Sequence, residues 1–393
     1  MAFFISEKMC YNIFMIYLDY AAATPMSEKA INAMRPYLAE DFFNPSAPYL
    51  AAKKVREIYE DAKNQIAHVI GAKGNDIIMT AGATEANNLA LSGASHILYL
   101  TTEHDSVRNI ARTRGGEEIA VDKNGIIDLK DFAIKLTDDV DMVSVSLANN
   151  ELGTIQPIVE ISEIIKKARL SRLERGIKTP LYLHSDASQA LNLVNISVAR
   201  MGIDLLTINA AKVYGPKGVG ALYVAHGVKL KPLTLGGGQE NGLRSGTENV
   251  AGAVAFAEAI TDAHEHINGN RKKYEKLSEI MRRELLNCSV EPVFLGSRKK
   301  QLANFVPVCF PGIDAERIIF KLEEQEIYLS TGAACAASKG EKSHVLKAIG
   351  LSDDEINGSL RISLGEGNDE EQVIAAAKAI CQAVNEEYAR TNG

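Results

Sequence analysis

The chain has no CxxC pair among its five cysteines, no internal repeat, and fewer Lys and Arg than Asp and Glu. It also lacks any apolar run of about 18 residues, the length that would suggest a membrane span. Each absence excludes something. Cysteines at 10, 288, 309, 335 and 381 are scattered and odd in number, which fits neither a disulfide scaffold nor a zinc site and suits a reducing cytoplasm. In apolar or helical surroundings, four of them read as small core residues. A net charge of −7 favours small-molecule chemistry over nucleic acid, whose binders carry a basic patch. No His, Cys, Asp and Glu cluster has metal-ligand spacing, so no metal site is expected and a metal hydrolase is set aside. The opening MAFFISEKMCYNIFM is apolar, but Glu7 and Lys8 interrupt it and no small-residue cleavage site follows. A secretory signal is therefore not expected, and Met15 is an alternative start.

What is present is ample core material. The 393 residues are 46% hydrophobic and 24% charged, more than one core usually holds, so two domains are expected. Helical and strand-like segments alternate, which predicts an α/β fold with a mainly parallel sheet. Helices are expected over Ser27 to Leu38 and Ala51 to Ile70. Buried strands are expected at 76–80, 96–100, 141–147, 181–186 and 204–209, with an antiparallel run near 219–224. The character changes near 262–268, where a charged helix leads into NFVPVCF, an amphipathic stretch and SLRISL. The expected division is an extension over 1–15, a large domain over 16–264 and a small α+β domain over 265–393.

In open α/β sheets ligands gather at the carboxyl ends of strands. After strand 76–80 comes AGATEANN, where Gly82 allows a tight turn and a helix start offers N–H groups to a phosphate. Thr84 there is either an N-cap or a phosphate ligand. His104 follows strand 96–100, and Asn149 and Asn150 follow 141–147; surface placement and turn chemistry explain these residues as readily as a site does. Asp186 closes an apolar strand, with Gln189 three residues on. The next strand delivers Lys212 beside a Gly-Pro-Lys-Gly turn. A lysine for a Schiff base, a carboxylate for a ring nitrogen and a phosphate cradle are together what pyridoxal phosphate (PLP) needs. Cys335 lies in STGAACAASKGEKS, a run of small residues expected to pack loosely. It is either a structural thiol or a nucleophile assisted by Lys339, Lys342 and the helix start at Ser343.

The motifs YLDYAAATP, NPS (44–46), AGATEANN, TEHDSV, NNELG, SDASQ, KVYGPKG, GGGQENGLRSGT, STGAAC and LRISLG occur in this order. From about Ile16 to the end the chain resembles cysteine desulfurases of the NifS/IscS type, in the class V aminotransferase group. The resemblance implies PLP fold type I, with a mainly parallel seven-stranded sheet and a smaller α+β domain carrying the Cys segment. It implies Lys212 as covalent anchor, Asp186 on the pyridine nitrogen, and His104 stacked on the ring and assisting proton transfer. Asn150 and Gln189 would contact the ring oxygen. Ala83 and Thr84 would bind phosphate, joined by Thr247 of a second subunit in a homodimer. Asn44 and Arg361 would hold the substrate carboxylate, and Cys335 would take sulfur from L-cysteine as a persulfide, leaving alanine. The long Cys segment resembles the branch that hands sulfur to an iron–sulfur scaffold or thiolation protein. A soluble, cytoplasmic enzyme is implied.

Three positions depart from the family pattern. Asn209 and Ala211 stand where a Ser and a His usually donate to the phosphate, and Tyr49 replaces a His. Asn209 can still donate; Ala211 cannot, and one lost hydrogen bond to a charged group costs roughly 1.5–3 kcal/mol. These departures leave two other readings open: a related PLP lyase acting on selenocysteine or another β-substituted amino acid without using Cys335, and a non-catalytic scaffold.

Overall fold

The computed structural model describes residues 15–332 and 342–392; Cys335 and Cys10 lie outside them. The strands, in chain order, are β1 (Ile16–Tyr17), β2 (Ile77–Thr80), β3 (Ile97–Leu100), β4 (Glu117–Ile119), β5 (Met142–Ser144), β6 (Tyr182–Asp186) and β7 (Leu205–Asn209). They continue with β8 (Gly220–Val224), β9 (Val293–Phe294), β10 (Phe305–Cys309), β11 (Ile327–Tyr328), β12 (Ser330–Thr331) and β13 (Ser359–Ser363).

A seven-stranded sheet has the order β2-β8-β7-β6-β5-β3-β4. β8 runs antiparallel to both neighbours, and every other pair is parallel. The carboxyl ends of β2 to β7 therefore share one edge. Parallel strands buried on both faces read as continuous apolar runs, yet their side chains still alternate between two cores. Ile78, Ile97, Tyr99, Met142, Leu205 and Leu222 enter one cluster. Ile77, Leu98, Val143, Leu206 and Ala221 enter the other.

That second core also contains Phe305, Val308, Ile318 and Leu360, which belong to the C-terminal part of the chain. There an antiparallel sheet has the order β12-β13-β10-β9, and β1 pairs in parallel with β11. The 36-residue helix Val250–Leu285 runs unbroken past positions 264 and 265. Where one helix was expected over 27–38, there are two, Glu28–Met34 and Pro36–Ala39. Pro36 lacks the N–H that would continue the first helix and suits the first turn of a new one.

The expectation that the cysteines stay unpaired is corrected at one point. Cys288 and Cys381 form a disulfide, with Cα atoms 4.7 Å apart across a sequence separation of 93. Cys381 lies in the helix Glu370–Asn392 and Cys288 just beyond Val250–Leu285. Packing of these two helices sets the residues side by side, and so long a separation leaves no local signal. Cys309 is buried and free.

Candidate active site

β2 runs into Gly82, whose φ of 141° lies where only glycine is at ease. Gly82 is itself the N-cap of the helix Ala83–Leu91, and no side chain caps that helix. Thr84 is thus not the N-cap. The amides of Ala83 and Thr84 belong to the first turn, where N–H groups lack helical partners and the dipole favours an anion. Glu85 completes the turn by accepting from Ala81 N at 2.7 Å and from Arg244 Nε at 3.0 Å.

β6 and β7 are parallel neighbours, with Asp186 opposite Thr207. Asp186 ends β6 and is 9% exposed; it accepts from Asn87 Nδ2 at 2.8 Å and from Ser188 N at 2.9 Å. After β7, Asn209 caps the 3-10 turn Ala210–Lys212 by accepting from Ala211 N, leaving its Nδ2 hydrogens for a ligand. That turn carries Lys212, whose Nζ donates to Ala21 O at 2.8 Å and also to Ala22 O. Gln189 Nε2 donates to the same Ala21 carbonyl at 3.0 Å. His104 follows β3 as the N-cap of the helix Asp105–Thr113, its Nδ1 accepting from Ser106 N at 3.1 Å.

Arg361 comes from β13. One of its Nη atoms pairs with Asp19 at 2.7 Å and the other donates to Asn150 O at 3.2 Å, while Nε is buried without a partner. Asn149 is structural: its Oδ1 accepts from Glu151 N and Leu152 N, and its Nδ2 donates to Thr102 O. Two buried acids flank these groups. Burial pushes the Glu103 carboxyl up to about 8; one oxygen accepts from Ser146 N at 2.5 Å and the other has no partner. Burial likewise pushes Glu151 up to about 7, against the pull of its 2.5 Å bond from Ser343 Oγ.

A cavity of about 300 Å³ gathers these ends. Ala83, Thr84 and His104 line it, as do Asn150, Asp186, Gln189, Asn209, Lys212 and Arg361. Asn44 does not: it is exposed and its Oδ1 accepts from Ser46 N. Thr247, expected from a second subunit, is exposed and does not line this chain's own cavity. Cys335 lies outside the described residues. No sequence signal points to Ser188 or His344 in the lining, or to Asn87 behind it. None stands alone at a strand end, and only the fold turns them inward.

The cavity suits a phosphate-bearing aldehyde. It offers an amine, a fixed carboxylate, an uncapped helix start, and two buried polar atoms without partners among the described residues, Ser188 Oγ and Arg361 Nε. Lys212, Asp186 and the Ala83–Thr84 turn would hold PLP. The chain belongs to the aminotransferase class-V family, whose model matches residues 16–375, and PLP is the cofactor of that family. It is 41% identical over 372 residues to cysteine desulfurase IscS 1 of Archaeoglobus fulgidus, covering 91% of this chain and 94% of the relative. Among solved structures it resembles a NifS-like protein with a TM-score of 0.86 at 30% identity, covering 95% and 100% of the two chains. It also resembles SspA, solved in complex with cysteine, with a TM-score of 0.76 at 31% identity over 89% and 99%.

Proposed function

We propose that the protein is a cysteine desulfurase that converts L-cysteine to L-alanine and carries the sulfur as a persulfide on Cys335. The observation that supports this most is the Lys212–Asp186 pair on adjacent strand ends, with Arg361 reaching the same cavity from the second sheet. When bound, PLP supplies an electron sink that weakens the bonds at the substrate's α-carbon. Asp186, held by two donors, keeps its carboxylate in place for a ring N–H. Lys212 Nζ, which lines the cavity, would anchor the cofactor and move the α-proton of the substrate. Asn150 and Gln189, which line the cavity, would contact a ring oxygen. Arg361, which lines the cavity, would take the substrate carboxylate through its guanidinium.

In the net reaction the Cβ–Sγ bond of cysteine breaks and a new S–S bond forms at the Cys335 thiolate. The electron pair left on carbon takes a proton to give the methyl group of alanine. A homodimer sharing Thr247, a cytoplasmic location, a protein acceptor for the sulfur, and a division into domains at 264/265 complete this reading. Among the described residues no helix is long and apolar enough to cross a membrane. Cys335→Ala tests the reading: PLP should stay bound while alanine and persulfide formation fall to background. Continued sulfide release from cysteine by this variant would favour the lyase.

A further inference from the structure

Behind the cavity, one fully buried amide touches both halves of the site. Asn87 lies in the helix Ala83–Leu91 and has no exposed surface. Its Nδ2 donates to Asp186 Oδ2 at 2.8 Å and to Ser106 Oγ at 2.8 Å. A carboxylate only accepts, so the first contact fixes which way the amide faces. The Ser106 oxygen, already accepting, then has its own hydrogen to give, and His104 Nδ1 lies 2.8 Å away. Ser106 N–H also donates into Nδ1 at 3.1 Å. A backbone N–H cannot accept, so Nδ1 carries no proton in the neutral ring, and the ring proton sits on Nε2.

The remaining atom of the amide argues that these contacts are why it is there. Asn87 Oδ1 is buried without a partner, and an orphaned buried acceptor destabilises where an apolar side chain of similar shape would not. A position chosen for packing alone would not keep it. What Asn87 contributes is two donors, one to Asp186 and one to Ser106, which in turn meets His104 Nδ1.

We propose that Asn87 is a positioning residue that ties the Asp186 carboxylate to the His104 ring through Ser106, holding His104 as the tautomer with its proton on Nε2. His104 in this state gives a proton or a hydrogen bond, and the base of the reaction is another group. This inference rests on the PLP reading of Asp186 and His104.

Nitrogen-15 NMR of the ring in the PLP-loaded enzyme, assigned with His104→Gln, is the direct test. The account expects a protonated Nε2 and a bare Nδ1, and a proton on Nδ1 would overturn it. Asn87→Leu, which keeps the shape and removes both donors, should shift the His104 ring signals. It should also lower kcat about tenfold or more, as lost outer-shell contacts do at metal sites, with KM for cysteine nearly unchanged. Unchanged ring signals would sink the coupling. Ser106→Ala breaks the same chain and serves if Asn87→Leu does not fold. Combined, the two changes should cost no more than one alone, whereas additive losses would show that they do not act together. A wild-type enzyme making no alanine would instead overturn the proposed function and leave the tautomer result standing.

Discussion

Arg361 shows how much one side chain carries. It is 4% exposed and among the described residues pairs with one carboxylate, Asp19, and a guanidinium offers a planar fork that an ammonium cannot copy. Arg361→Lys keeps the charge and loses the fork. The expected result is a rise of roughly 10- to 100-fold in KM for L-cysteine, the size of one or two charged hydrogen bonds, with PLP still bound. Steady-state kinetics at saturating PLP checks it; an unchanged KM would remove Arg361 from substrate binding.

Elements that announce themselves by periodicity are legible in the sequence. β2, β3, β6, β7 and β8 fall within a residue of their expected bounds, because each is a short apolar run closed by a polar or glycine residue. Lys212, Asp186 and Thr84 were found because they stand at those closures. Of the expected run 141–147 only Met142–Ser144 is strand, although Val145 N and Leu147 N still donate to His184 O and Asp186 O of β6. Asn87 was invisible as a site residue, for it looks like any helical polar residue until a neighbouring helix and strand converge on it. The Cys288–Cys381 pair was missed for the same reason, since contacts between distant helices have no local signature. Pro36, by contrast, marked its helix break in advance and was read past.

For the molecule as a whole, the buried acids tie stability to pH. The folded Glu103 carboxyl sits near 8 against an ordinary value of 4.5. Between those values the folded state keeps a proton that the unfolded chain has released, so stability falls as pH rises. Glu151, pushed up to about 7, adds the same trend below that point. His184, pushed down to about 4 from 6.5 by burial, works oppositely in its own window, where stability rises with pH. Between pH 7 and 8 Glu103 carries the larger part of the loss and Glu151 a smaller one. There the wild-type enzyme should lose about 1 kcal/mol more than Glu103→Gln, since one pKa unit is 1.36 kcal/mol. Denaturant unfolding at the two pH values checks this; equal losses in both proteins would refute the Glu103 assignment.

The central claim is that this cavity holds PLP on Lys212 and uses it to desulfurate cysteine. The most direct measurement is the absorbance spectrum of the purified protein with and without added PLP, followed by L-cysteine and an assay for alanine, in parallel with Lys212→Ala. The account predicts a visible band that Lys212→Ala lacks, and alanine formed in step with a persulfide on Cys335. A protein that stays colourless with excess PLP, or a band that survives in Lys212→Ala, would contradict it.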